Sequence, residues 1–90
     1  MTKQEFVDAV ADKAGMTKRD AGTAVDAALE VIQRTLVNGD SITFTGFGKF
    51  HVTRRAARQG VNPRTGEPVQ ISAANVPKFA AGSQLKKAVN

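Results

Sequence analysis

Residues 46–66 read GFGKFHVTRRAARQGVNPRTG, and a change of pattern inside this stretch decides the fold. Phe47, Phe50 and Val52 can line a core. From Arg54 onward the apolar pattern lapses, and Arg54, Arg55, Arg58 and Arg64 follow with no acid among them. Asn62-Pro63-Arg64-Thr65-Gly66 ends the run with residues suited to a turn. A long basic hairpin with a proline at its tip has little to bury within its own domain. It suits a polyanion, so nucleic acid is the first hypothesis.

Strands flank this hairpin. Ser41-Ile42-Thr43-Phe44-Thr45 alternates polar and apolar, the mark of a half-buried strand. Gly46-Phe47-Gly48 is a tight link to a second strand over 49–53, with Phe50 and Val52 on the core side and His51 outward. Beyond the turn, Val69 and Ile71 alternate with Gln70 and Ser72, so the chain returns as a strand. Val76-Pro77-Lys78-Phe79 predicts an edge segment, because Pro77 has no N–H to give a ladder. Gly82-Ser83 opens a short terminal helix, with Ser83 as N-cap and Leu85 and Val89 facing inward.

The first forty residues predict two helices. Thr2-x-x-Glu5 is a capping box. Phe6, Val7, Val10, Ala11 and Ala14 follow at helical spacing, and Gly15 supplies a C-cap. Thr17-x-x-Asp20 starts a second helix, with Ala21, Ala24, Val25, Ala28, Leu29, Ile32 and Leu36 on one face. Asn38-Gly39 stops it. Helices joined by so short a link pack as a hairpin. A DNA-reading helix-turn-helix would show basic and amide side chains on the second helix. These helices are net acidic, which favours packing and a dimer interface.

Charge divides the same way. Residues 1–40 hold five basic and seven acidic side chains, net −2, and residues 41–90 hold eight basic against one acidic, Glu67, net +7; together they give the formal +5. Positive charge concentrated in one half argues about partners rather than fold. Ninety residues make one small domain with a marginal core. With no Cys and His51 as the only His, neither disulfides nor a zinc site can help. A partner chain is the remaining source of buried area, most simply through a twofold dimer. No signal peptide or membrane-spanning apolar run is read, so no membrane role and a cytoplasmic location are expected.

Catalytic chemistry finds no support. His51 has no Ser or acid placed beside it by spacing. Glu5, Asp8 and Asp12 share a helix face, as ordinary surfaces do. Gly46-Phe47-Gly48 is too short for a phosphate loop and lies between strands. No catalytic residue, cofactor or metal is expected. The hairpin differs. Arginine holds phosphate in a bidentate, charge-assisted geometry. Alternation sets Arg54 and Arg58 on one face and Arg55 on the other, while Ala56 and Ala57 keep the ribbon thin enough for a groove. Pro63 has two readings: a turn former, or a stiff apolar wedge between base pairs. Arg64 beside it can enter a minor groove.

At these residues the chain resembles the bacterial HU and integration host factor family of histone-like DNA-bending proteins. The resemblance rests on Gly46-Phe47-x-x-Phe50, then Arg55, Arg58, Gly60 and Asn62-Pro63-x-Thr65-Gly66, and on Val76-Pro77-x-Phe79-x-x-Gly82 followed by Leu85-Lys86. It covers essentially the whole chain. It implies a single α+β domain over 1–90, with a helical dimerisation part at 1–40. Residues 41–90 would form a three-stranded antiparallel sheet with a long β-arm at about 54–72 and a short C-terminal helix. The dimer would be intertwined, with Phe44, Phe47, Phe50, Phe79, Leu29, Ile32 and Leu36 in its core. DNA contacts are implied for Arg54, Arg55, Arg58, Asn62, Pro63 and Arg64 on the arm. On the body they are implied for Lys78, Lys86 and the backbone near Gly46, with Lys3 added on long sites. Pro63 would intercalate. Architectural minor-groove binding of this kind is a general property of such proteins.

Two residues depart from the pattern, Val61 and Glu67, where relatives often carry basic side chains. Length, and no extension after Asn90, favour an HU-type homodimer over one subunit of a sequence-specific heterodimer like integration host factor. The expected partner is double-stranded DNA, preferentially bent, nicked or at junctions, in the nucleoid; RNA is left open as a second partner. Another class, an interaction protein whose arm grips an acidic surface, would not show salt-dependent binding to any duplex. An enzyme is the remotest reading.

Overall fold

A computed structural model describes residues 1–90. The elements, in chain order, are α1 (Lys3–Ala14), α2 (Lys18–Val37), β1 (Ile42–Phe44), β2 (Gly48–Arg55), β3 (Arg58–Val61), β4 (Pro68–Ile71), β5 (Ala74–Ala81) and α3 (Ser83–Val89). The expected α+β class is observed. The chain divides into two units, residues 1–34 and 35–90.

The first unit is a helical hairpin. The Thr2 hydroxyl accepts the Glu5 N–H at 3.2 Å, and the Glu5 carboxylate reaches back to the Thr2 N–H, so two orphan donors are satisfied. Gly15 ends α1 with φ 68°, and the Met16 N–H closes on the Ala11 carbonyl at 2.9 Å. The Thr17 hydroxyl accepts the Asp20 N–H at 3.1 Å. Four residues make the core: Val7, Ala11, Ala21 and Val25, with Val10 packed against them. This stripe is narrower than the sequence suggests. Phe6 is 49% exposed and Leu29 51%, and Ala14, Ala24 and Ala28 are also exposed. Alanine side chains bury little, and each buried valine contributes only about 1.5–3 kcal/mol.

The second unit begins in the last residues of α2. That helix ends in a Schellman arrangement, in which Asp40 N–H donates to the Thr35 carbonyl at 3.1 Å and Gly39 N–H to that of Leu36 at 3.0 Å. Three strands then pair antiparallel in the order β1-β2-β5, and β3 pairs with β4 in a separate two-stranded ribbon. Ile42 opposes Phe50, Phe44 opposes Gly48, and Phe50 opposes Phe79. One sheet face therefore carries Ile42, Phe44, Phe50, Val52 and Phe79. The Phe50 ring lies 4.8 Å from Phe79 and 6.2 Å from Phe44, and Phe47 adds itself at 5.8 Å from Phe79. β5 is an edge strand, as Pro77 requires.

Helix α3 is seated on the β1–β2 turn. Gly82 N–H donates to the Phe47 carbonyl at 2.7 Å and Leu85 N–H to the Gly46 carbonyl at 3.2 Å. Its N-cap is Gly82, not Ser83, and no side chain caps it. The turn backbone supplies the acceptor that a Ser83 hydroxyl was expected to provide. Leu85 is half-buried, but Val89 is 76% exposed, contrary to the inward placement expected for it. Asn90 closes the last turn, its Nδ2 donating to the Lys86 carbonyl at 2.7 Å.

Candidate nucleic-acid interface

The ribbon continues the β2–β5 hairpin. Arg55 opposes Ala74 and Arg58 opposes Ile71, so two residues intervene on each strand and the register does not slip. The ladder itself lapses at Ala56-Ala57 and Ser72-Ala73. The arm is thus two paired segments joined by four small residues, rather than one unbroken ribbon. Gly60 keeps it thin: a Cβ there would meet Ile71 Cδ1 at 2.9 Å, so the Ile71 side chain lies over the opposite strand.

Turn chemistry shapes the tip. Asn62 N–H donates to the Glu67 carbonyl at 2.8 Å, and Gly66 N–H donates to the Asn62 carbonyl at 2.7 Å. The Asn62 side chain accepts the Arg64 N–H at 2.9 Å, and Gly66 takes φ 75°, which a side chain would oppose. These bonds fix the loop and leave Pro63 and Arg64 exposed at its end. Val61, 69% exposed, and Pro68 oppose each other just below.

None of the four arm arginines pairs with an acid; the ion pairs of the chain are Lys3–Asp26, Lys18–Asp8 and Arg34–Glu30. Arg54 instead donates to Asn75 Oδ1 at 3.4 Å and Arg55 to the Ser72 carbonyl at 3.3 Å. Both bonds are long and exposed and end on neutral acceptors, which an anionic phosphate can replace with stronger, bidentate ion pairs. Lys78 stands on β5 opposite His51, and Lys86 is exposed on α3. Gly46 presents backbone, with φ 82°, and a Cβ would meet Gln84 Oε1 at 2.7 Å. Lys3 lies in the helical unit, where it pairs with Asp26 at 2.6 Å; any phosphate it meets must compete with that carboxylate. The ribbon and its sheet thus bring Arg54, Arg55, Arg58, Asn62, Pro63, Arg64 and Lys78 onto one hairpin.

Lys49 and His51 were left without a role by the sequence reading. Strand alternation sets both on the sheet face away from the phenylalanines, with Lys78 and Arg55. The alternation that turns Phe50 inward already sets His51 outward in the sequence, and places Lys49 beside it.

An α+β body that extends a thin, arginine-bearing two-stranded ribbon belongs with the β-ribbon readers of DNA. Residues 1–90 match the family described as bacterial DNA-binding protein. The chain is 59% identical over 90 residues to the DNA-binding protein HRm of Rhizobium meliloti, covering all of both chains. It is 49% identical over 89 residues to the DNA-binding protein HU of Staphylococcus aureus, covering 99% of each. Among solved structures it resembles Anabaena HU cocrystallised with DNA, with TM-score 0.92 and 46% identity over 99% of this chain and 97% of that one. The chain therefore belongs to the bacterial DNA-binding protein family, HU type. No helix is long and apolar enough to cross a membrane.

Proposed function

We propose that this is a homodimeric architectural protein that bends duplex DNA through the minor groove, largely without sequence specificity, and compacts the chromosome in the bacterial nucleoid. The arm carries the reading: four arginines without acidic partners lead along a thin ribbon to an exposed proline. Phosphate contacts supply affinity irrespective of sequence. Arg54, Arg55 and Arg58 hold the backbone along the ribbon, and Arg64 enters the minor groove beside Pro63. Asn62 fixes the tip that presents them. Lys78, Lys86 and the Gly46 backbone hold flanking phosphates, and Lys3 joins on longer sites. Pro63 acts as a wedge between base pairs, so DNA already bent, nicked or branched is preferred. The test is the salt dependence of duplex binding. Arg55→Ala and Arg58→Ala are each expected to weaken all sequences alike and to lower the log–log salt slope by about one. A mutant that changes preference among sequences at constant slope would argue for base reading instead.

The dimer reading rests on exposed apolar surface. Within residues 35–90 only Gly48 is buried. Phe44, Phe47 and Phe79 are 45%, 52% and 42% exposed, while Phe50, Ile32 and Leu36 are half-buried. A second copy can cover these groups together with Leu29, so that 1–90 folds as one domain of an intertwined pair. Folding coupled to association makes the thermal midpoint rise with protein concentration. Sedimentation that finds a folded monomer at micromolar concentration would refute it.

A further inference from the structure

We propose that Glu67 is a specificity-determining residue: its carboxylate, fixed at the base of the arm tip, penalises intact duplex more than DNA whose backbone is opened or interrupted. The inference rests on the DNA-binding reading and adds to it a residue that sets which form of DNA is taken.

Turn geometry places this acid. The Glu67 carbonyl accepts the Asn62 N–H at 2.8 Å, and the Glu67 N–H donates to the Thr65 hydroxyl at 3.3 Å. Asn62 immediately precedes Pro63, so Glu67 stands across the tip from the base of the wedge. Residues paired in this way have Cα atoms about 5.5 Å apart. Any base step that Pro63 enters therefore brings its phosphates within about one Debye length of the carboxylate, roughly 8–10 Å at ordinary salt. Glu67 is exposed and is the only acid in residues 41–90.

The fold makes no use of the carboxylate. The turn takes only the backbone N–H and carbonyl of Glu67, which any residue other than proline supplies. The ion pairs of the chain all lie in the first unit, at Lys3–Asp26, Lys18–Asp8 and Arg34–Glu30. Arg64, three residues away, does not close on Glu67, and Arg54 and Arg55 donate to Asn75 and Ser72 instead. An unpaired negative charge thus stands on an arm whose other charged side chains are arginines.

Its effect depends on the shape of the DNA. The minor groove of an intact duplex is about 6 Å wide, with a row of phosphates on each wall. A ribbon seated there holds Glu67 close to both rows. A kink toward the major groove spreads those walls, and a gap in one strand removes phosphates from one of them. Repulsion then weakens while Pro63 and Arg64 keep their places. The arginines attract phosphate on every form of DNA, whereas Glu67 discriminates among the forms by distance.

The test compares the full chain with its Glu67→Gln variant on an intact linear duplex and on the same sequence with a short central gap, at low and at high salt. Glutamine keeps both backbone bonds and the length of the side chain and removes only the charge. Affinity for the intact duplex is expected to rise roughly two- to fivefold at low salt, the scale of one screened charge facing a few phosphates, and to change little at high salt. Affinity for the gapped duplex should rise by less, so the preference for gapped DNA narrows. Glu67→Lys should move in the same direction and farther. Asp12→Asn, which changes net charge equally on α1 and outside the arm, should keep the wild-type preference. Equal tightening on both DNAs, or none on the intact duplex at low salt, would overturn the proposal. A preference narrowed equally by Asp12→Asn would trace the effect to net charge and overturn it too. Wild type that binds neither duplex would overturn the DNA-binding reading itself.

Discussion

Replacing Pro63 by alanine is expected to abolish most bending of intact linear DNA while leaving binding to nicked or junction DNA largely in place. Unstacking a base step costs a few kcal/mol, and a nick or mismatch lowers that cost. Under the proposed function, the wedge recovers the cost because a bent duplex reaches more of the protein. Pro63 is exposed on a loop held by the Asn62–Glu67 and Asn62–Gly66 backbone bonds and by the Asn62 side chain. None of these bonds uses a Pro63 atom, so the substitution keeps the turn and every arginine. It removes the stiff ring alone. Affinity for nicked DNA should then fall only about two- to threefold, under 1 kcal/mol. Energy transfer between dyes at the ends of a short intact duplex, at saturating protein, measures the bend. Equal end-to-end distances for wild type and mutant would make Pro63 a turn residue and nothing more.

The hairpin was legible in the sequence because its signals are local. Asn62 and Gly66 demand a turn, and period-two alternation orders the strands on both sides. The interruption at Ala56-Ala57 and Ser72-Ala73 was not legible. Alanine and serine carry no strong signal against strand pairing, and loss of a ladder depends on both strands at once. The position of Ser83 failed for a related reason. A serine before a helix suggests a side-chain cap, but here the Gly46 and Phe47 carbonyls, distant in sequence, take the N–H groups of Leu85 and Gly82. Helical spacing placed Phe6 and Ala14 correctly in α1, but periodicity identifies a face without saying how much of it one neighbouring helix can cover. The exposed Phe44, Phe47 and Phe79 carry the same lesson: an apolar pattern states that burial is needed, not which chain provides it.

Gly82→Ala is expected to destabilise the protein severely, although the backbone there suits any residue. Gly82 has φ −78° and ψ 167°, ordinary extended values, so alanine meets no conformational penalty. The obstacle is steric. A Cβ at this position would lie 2.7 Å from both the carbonyl carbon and oxygen of Gly46 and 3.0 Å from the carbonyl carbon of Phe47. All three are backbone atoms, and none can rotate away. Relief requires parting α3 from the β1–β2 turn, which stretches the Gly82–Phe47 and Leu85–Gly46 hydrogen bonds together. Overpacking of this kind costs roughly 1–3 kcal/mol, which for a domain of this size lowers the melting temperature by about 4–24 °C. Gly39→Ala is the matched control. Gly39 has φ 78° with nothing within 4 Å of an added Cβ, so only left-handed strain of about 1–2 kcal/mol applies. Thermal melts of the two variants at equal concentration separate crowding from strain. The larger loss should fall on Gly82→Ala, and with α3 unseated the DNA contact proposed for Lys86 should be lost. A Gly82→Ala protein that melts with wild type would show that the turn and helix are not packed as closely as these distances require.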